Sequence, residues 1–176
     1  MAVLWETERL VVRELEETDA GALYELHRHP QVMDWLKSAP STGPDEERAR
    51  IAGWRGRGWP AGQGFHAMVE KATGRVVGLL VLKPFDHLPY LDLGWRLHPD
   101  VWGRGYATEA ARGGIRYAFE GLGLPEVAAV TLPDNARSRA VMERLGMTFA
   151  GDVVHAGWPH VLYLLRREDA DLDAGR

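Results

Sequence analysis

Leu97-His98-Pro99-Asp100-Val101-Trp102-Gly103-Arg104-Gly105-Tyr106-Ala107-Thr108-Glu109-Ala110 joins an apolar, strand-like run to a long stretch of helical periodicity. Beyond it, Ala107, Ala110, Ala111, Ile115, Ala118 and Phe119 return at helical spacing, so a helix runs from about Gly105 to Glu120, where Gly121-Leu122-Gly123 stops it. A buried-looking strand over Val127 to Leu132 follows, and strand, long helix, strand in that order needs a parallel crossover. Gly103 and Gly105 let the backbone of the junction approach a ligand without side-chain interference, while the first-turn amides of the helix point into the same space. Such a corner binds anions. Each helix-end charge effect is worth only about 0.3 to 1 kcal/mol, but a diphosphate takes several amides together. Taken alone, this Gly-x-Gly is equally well read as a tight strand-to-helix turn.

Upstream, Leu10 to Leu15 reads as a strand and Asp19 to His27 as a helix capped at Thr18-Asp19. A second helix runs from Asp45-Glu46-Glu47, an acidic first turn, to about Arg55. Four glycines and a proline in 56–64 make a loop that feeds three strands, at about Phe65 to Glu70, Arg75 to Lys83 and Tyr90 to Leu97, with a turn at Thr73-Gly74. Downstream, Asn135 to Leu145 is a short helix ended by Gly146, and Met147 to Val154 and Val161 to Leu165 close the sheet. The fold class is therefore α/β, a mixed, mostly antiparallel sheet of about seven strands with helices on both faces. Residues 1–166 form one domain. The charged stretch 167–176, with Glu168-Asp169-Ala170-Asp171, is expected to fray.

Bulk composition narrows the functions. With 176 residues, 45% of them hydrophobic, the chain has enough apolar material for one core and not for two domains. Its net charge of −4 argues against a grip on nucleic acid or an anionic membrane. The absence of cysteine excludes disulfides, thiolate zinc sites and cysteine nucleophiles, and fits a reducing compartment. No run approaches the roughly 18 apolar residues of a membrane span. Met1 to Glu6 lacks the pattern of a signal peptide, so a cytoplasmic protein is expected. His27 and His29 stand two apart, which does not bring them together on a helix, and no metal site is expected.

Trp102-Gly103-Arg104-Gly105-Tyr106-Ala107-Thr108-Glu109-Ala110 resembles the coenzyme A signature of the GNAT N-acetyltransferase superfamily, usually written Q/R-x-x-G-x-G/A. Gly105 and Ala107 match, and Trp102 replaces the usual Gln or Arg. This form is similar to the branch that acetylates ribosomal-protein N-termini. Asn135-Ala136-Arg137-Ser138, followed by Leu145-Gly146-Met147, resembles the family's N-x-x-S helix and closing Leu-Gly-Phe. Glu6 to Arg13 also looks like the opening strand of that branch.

The resemblance implies acetyl transfer from acetyl-CoA to a primary amine by direct attack in a ternary complex, without a metal. It places the diphosphate on amides from Gly103 to Thr108, including Arg104, Gly105, Tyr106 and Ala107. It sets the pantetheine arm against the backbone of Trp95, Arg96 and Leu97, with Asn135 contacting that arm. The strands on either side of the long helix splay apart in this family to admit it. Asp92 is the candidate general base, because the branch often carries a Glu on this strand; the alternatives are a strand-edge residue, or a base acting through water. Many members protonate the departing thiolate with a Tyr whose place is taken here by Met142. Ser138, one turn after Asn135, is the remaining hydroxyl, and is equally a helix-surface hydrogen bonder.

Trp35, Trp54, Trp59 and Trp158, with His155 and His160, fall in regions that flank the acceptor in this family, and core packing is the alternative for each. Glu109 is expected to support the first helical turn. The acceptor, a protein N-terminus or a small amine, is left open; the acidic balance favours a cationic one. A homodimer is the default for a small enzyme. The non-enzyme alternative is a coenzyme A sensing domain that kept the fold and lost transfer. A dinucleotide-binding protein lacks the third glycine, and a serine hydrolase lacks its G-x-S-x-G elbow.

Overall fold

The structure, a computed structural model, describes residues 2–172. Eight strands form a single sheet in the order β1-β2-β3-β4-β5-β6-β8-β7. They are β1 (Val3–Glu6), β2 (Leu10–Glu14), β3 (Gly64–Glu70), β4 (Val76–Pro84), β5 (Leu91–Leu97), β6 (Glu126–Thr131), β7 (Thr148–His155) and β8 (Trp158–Arg166). Every neighbouring pair is antiparallel except β5 and β6, which run parallel and meet at one register pair, Asp92 with Ala128. From that rung the two strands diverge.

Five α-helices cover the sheet: α1 (Ala20–His27), α2 (Pro30–Met33), α3 (Pro44–Arg55), α4 (Tyr106–Arg116) and α5 (Ala136–Arg144). Alternation along β5 sorts its residues between two faces. Leu93 and Leu97 enter the larger core with Leu80, Leu82 and the α4 residues Ala110, Ala111 and Ile115. Leu79 and Ala67 face the other way, into a second core with Leu23 of α1 and Ile51 of α3. The crossover helix and the early helices therefore lie on opposite faces. Gly113 brings α4 close to the sheet, since a Cβ there would run into the Trp5 indole of β1.

Several elements depart from expectation. β1 is a four-residue edge strand, half exposed at Val3, too short to show an alternating pattern. The long helix stays α-helical only to Arg116 and then widens into a π-type turn over Tyr117–Gly121, which sets the Tyr117 ring 5.2 Å from Trp5. β8 begins at Trp158 rather than Val161, through a two-residue hairpin in which Ala156 and Gly157 both have positive φ. Pro159 is tolerated there because the ladder to β6 begins only at Val161. Arg167–Asp169 form a 3-10 turn, and Ala170 and Leu172 pack against the larger core. Arg116 Nη2 donates to the Leu172 carbonyl at 2.7 Å, and the apolar residues between the acids give this stretch something to bury. Residues 173–176 of the expected frayed tail lie outside the described residues.

Candidate active site

The loop before α4 is built from its glycines. Gly103 and Gly105 have φ of +78° and +82°, a left-handed conformation costly for other residues, and a Cβ on Gly103 would meet nothing within 4 Å. Gly105 is the N-cap of α4 and offers no side-chain cap. The first backbone bond of the helix runs from Glu109 N to Gly105 O at 3.0 Å, which leaves the amides ahead of it without intrahelical partners. They face a cleft of about 1850 Å³.

Side chains brace this loop. Trp102 Nε1 donates to the Leu97 carbonyl at 2.8 Å, and Arg137 lies over the Trp102 ring at 4.9 Å. Tyr106 Oη donates to Glu70 Oε1 at 2.6 Å, and that bond holds the Glu70 carboxyl below its ordinary range. Glu109 does more than face the helix dipole. It accepts from Thr7 Oγ1 at 2.5 Å, Arg9 N at 2.8 Å and Arg9 Nε at 2.7 Å, fastening α4 to the turn between β1 and β2. Burial opposes ionisation of Glu109, but these bonds outweigh it and its pKa is lowered.

Most of the expected site residues border one space. Asp92, Trp95, Arg96, Leu97, Gly103, Gly105, Tyr106, Ala107, Thr108, Asn135 and Ser138 all line the cleft. Arg104 does not: its side chain is 55% exposed and reaches toward Glu70 at 4.0 Å. The Leu97 carbonyl is already taken by Trp102, so the free edge of β5 lies below it. Asn135 is the N-cap of α5, its Oδ1 accepting from Ser138 N at 3.2 Å, so only its amide nitrogen is left for a ligand. Met142 is buried at 2% exposure and also borders the cleft. Trp35, Trp54, Trp158, His155 and His160 line it as well, whereas Trp59 borders a separate, smaller pocket of about 210 Å³.

Asp92 sits at the root of the splay. Burial pushes its carboxyl up to about 6, restrained by Lys83, whose Nζ lies 3.6 Å from Oδ2, and by Arg96. A carboxyl poised near neutrality in a cleft marks a candidate for proton transfer. The sequence reading missed Lys83, Arg9 and the group His27, Glu47 and Arg96. His27 Nδ1 and Glu47 Oε2 lie 2.9 Å apart, both side chains fully buried, and Arg96 Nη1 reaches His27 Nε2 at 3.2 Å. The one sequence signal for this group is a His and a Glu placed on the inward faces of two successive helices.

Open amides on two left-handed glycines, Arg137 over the neighbouring Trp102 ring, and a strand pair that parts after one rung fit an elongated molecule with a diphosphate at one end. The family model for the acetyltransferase (GNAT) domain matches residues 9–148, and the chain belongs to that family. It is 36% identical over 132 residues to the FsC-acetyl coenzyme A-N(2)-transacetylase of Aspergillus fumigatus, a match covering 70% of this chain and 55% of that protein's length. An acetyltransferase (GNAT family) from Bacillus anthracis superposes with a TM-score of 0.80 at 25% identity, over 96% of this chain and 99% of the other. The ribosomal-protein-S5-alanine acetyltransferase of Vibrio fischeri shares the fold, with a TM-score of 0.75 at 19% identity over 95% and 98%. Among the described residues, no helix is long and apolar enough to cross a membrane.

Proposed function

We propose that the protein transfers an acetyl group from acetyl-CoA to a primary amine by direct attack within a ternary complex. The observation that carries this reading is the coincidence, in one cleft, of the open amides at Gly103 to Thr108, the parted strands β5 and β6, and a buried carboxyl of raised pKa at the point where they part. Those amides and Arg137 hold the diphosphate, and the free edge of β5 around Trp95 pairs with the pantetheine arm as an added strand would. When bound, acetyl-CoA supplies an activated acyl thioester.

Asp92 accepts a proton from the incoming ammonium, directly or through a water, and Lys83 keeps enough of it ionised to do so near pH 7. The neutral nitrogen forms the C–N bond as the C–S bond breaks. Ser138 Oγ–H gives its proton to the departing sulfur and takes back the proton that the acylated nitrogen sheds, with Met142 bordering the cleft beside it. Because a thiol titrates near about 8.5, little assistance is required.

The test is thiol release on mixing acetyl-CoA with primary amines, beside calorimetry of coenzyme A binding. Turnover with at least one acceptor is expected. Tight binding with no turnover on any acceptor would instead make the protein a coenzyme A sensor, and no binding at all would overturn the reading.

A further inference from the structure

Charge in the acceptor half of the cleft is unlike charge in the chain as a whole. The chain carries −4, yet Lys83, Arg96 and Arg50 gather on the cleft wall around Asp92, with Lys37 also on the lining, while Glu6, Glu8, Glu109 and Glu120 border the cleft from β1, the turn after it and the α4 side. Two of these cations are matched. Lys83 stands 3.6 Å from Asp92, and Arg50 lies 2.7 Å from Glu46 and 3.4 Å from Glu47.

Arg96 is held differently. Its Nη1 donates to His27 Nε2, and its guanidinium lies 5.5 Å above the Phe65 ring, which is stacked on Trp54 at 3.9 Å. Neither contact is a carboxylate. Burial lowers the proton affinity of His27, so its ring is neutral, and Glu47 fixes the tautomer by taking the Nδ1 proton. The free lone pair of Nε2 is thereby aimed at Arg96. Burial, with Arg50 nearby, pushes Arg96 down to about 10, and the more distant carboxylates of Asp92 and Glu47, neither of them hydrogen-bonded to it, offset this only in part. A guanidinium carries five donors in a planar fork, and one of them is used here.

Asp92, Gly94 and Arg96 share one face of β5, with roughly 6.6 Å between positions two apart. Gly94 puts no side chain between the two charged groups, and even an added Cβ would make only ordinary contacts with Val81 and Asp92. The strand thus presents a carboxylate, a bare floor and a guanidinium in a row.

The geometry points to an acceptor of the amino-acid type, with a carboxylate next to its primary amine, lying over Gly94 with its nitrogen toward Asp92 and its carboxylate gripped by Arg96. This rests on the acetyl-transfer reading above. An amine without an anion leaves a desolvated guanidinium unpaired, which is costly. A protein N-terminus offers a neutral peptide carbonyl at the same place. His27 and Glu47 act through Arg96 and are positioning residues.

The experiment compares kcat/KM, by thiol release, for L-amino acids and their primary amides. The amide is the less basic amine and is intrinsically favoured at neutral pH, so an advantage for the acid reports the site. The acid is expected to lead by roughly tenfold or more, as suits a charge-assisted hydrogen bond at a buried site. In Arg96→Gln that ratio collapses toward or below one, chiefly through a raised KM for the acid, and Arg96→Lys restores part of it. A wild-type enzyme that acetylates the amides as well as or better than the acids overturns the carboxylate inference while leaving acetyl transfer standing. Cofactor binding without turnover on any member of either set overturns the transferase reading and this inference together. Should Arg96→Gln fail to fold, the wild-type ratio alone decides.

Discussion

Lys83 Nζ stands 3.6 Å from Asp92 Oδ2 across one rung of β4 and β5, and that same Asp92 is where β5 meets β6. The proposed base, its charge partner and the opening of the sheet therefore share one position, and the pH response of the enzyme follows from it. With a weakly basic acceptor, unprotonated throughout the window, kcat/KM rises with pH through about 6 as Asp92 ionises. Lys83→Met removes an attraction that favours the carboxylate, so the rise moves to higher pH. In Asp92→Asn it disappears. An unaltered acid limb in Asp92→Asn would remove the residue from the mechanism.

Gly105 joins a positive φ to an exposed backbone at the mouth of the cleft. Gly105→Glu adds strain of about 1 to 2 kcal/mol and a charge facing the diphosphate. Coenzyme A affinity by calorimetry is expected to fall by roughly a hundredfold or more. Retained affinity would show that the diphosphate is held elsewhere.

Ser138 is a weaker dependence. Since the thiolate leaves with little help, Ser138→Ala is expected to lower kcat by less than about tenfold, with KM for acetyl-CoA nearly unchanged. Wild-type turnover would reduce Ser138 to its backbone role, in which its amide closes the Asn135 cap.

Glu109 is a structural tie between α4 and the turn that joins β1 to β2. Glu109→Ala leaves the Thr7 hydroxyl and the Arg9 amide without their acceptor, and is expected to cost about 1 to 3 kcal/mol in urea denaturation. Glu109→Gln keeps an acceptor and is expected to cost less.

His66 makes the fold sensitive to acid. Its ring is 3% exposed and burial pushes its pKa down to about 4, against 6.5 for the free side chain. The unfolded chain takes up this proton first, so the contribution is fully present above about 6.5 and is lost as pH falls toward 4. The span corresponds to about 3 kcal/mol. His66→Leu is expected to flatten this part of the stability curve, and parallel curves for variant and wild type would contradict the assignment.

What the sequence made legible was local. The glycine junction, the periodicity of α4 and the short helix that starts at Asn135 are each carried by neighbouring residues, and each is found in place. Contacts between distant segments left no such trace: Glu109 meets Arg9 across 100 positions, and Arg96 meets His27 across 69. The acidic composition suggested a cationic acceptor, whereas the acceptor proposed above is chosen by the few cations gathered around Asp92. Net charge is a sum over the whole surface and says nothing of which charges a fold turns inward. β1 escaped notice because four edge residues carry too little pattern, and the start of β8 was expected late, at Val161, because Pro159 reads as a strand breaker until its place beyond the β6 ladder is known.

A sheet whose two halves touch at a single rung is a sheet with a seam. Left of the seam, five strands run in one antiparallel order; right of it, three more form their own small block, and α4 packs on the five-strand side while reaching α5 beyond it. A slender chain lying in that gap acts as a splint, trading backbone hydrogen bonds with each side. Beneath it the halves are held by side chains rather than by the ladder, Leu80 and Leu93 from one sharing a core with Val127 and Tyr163 from the other.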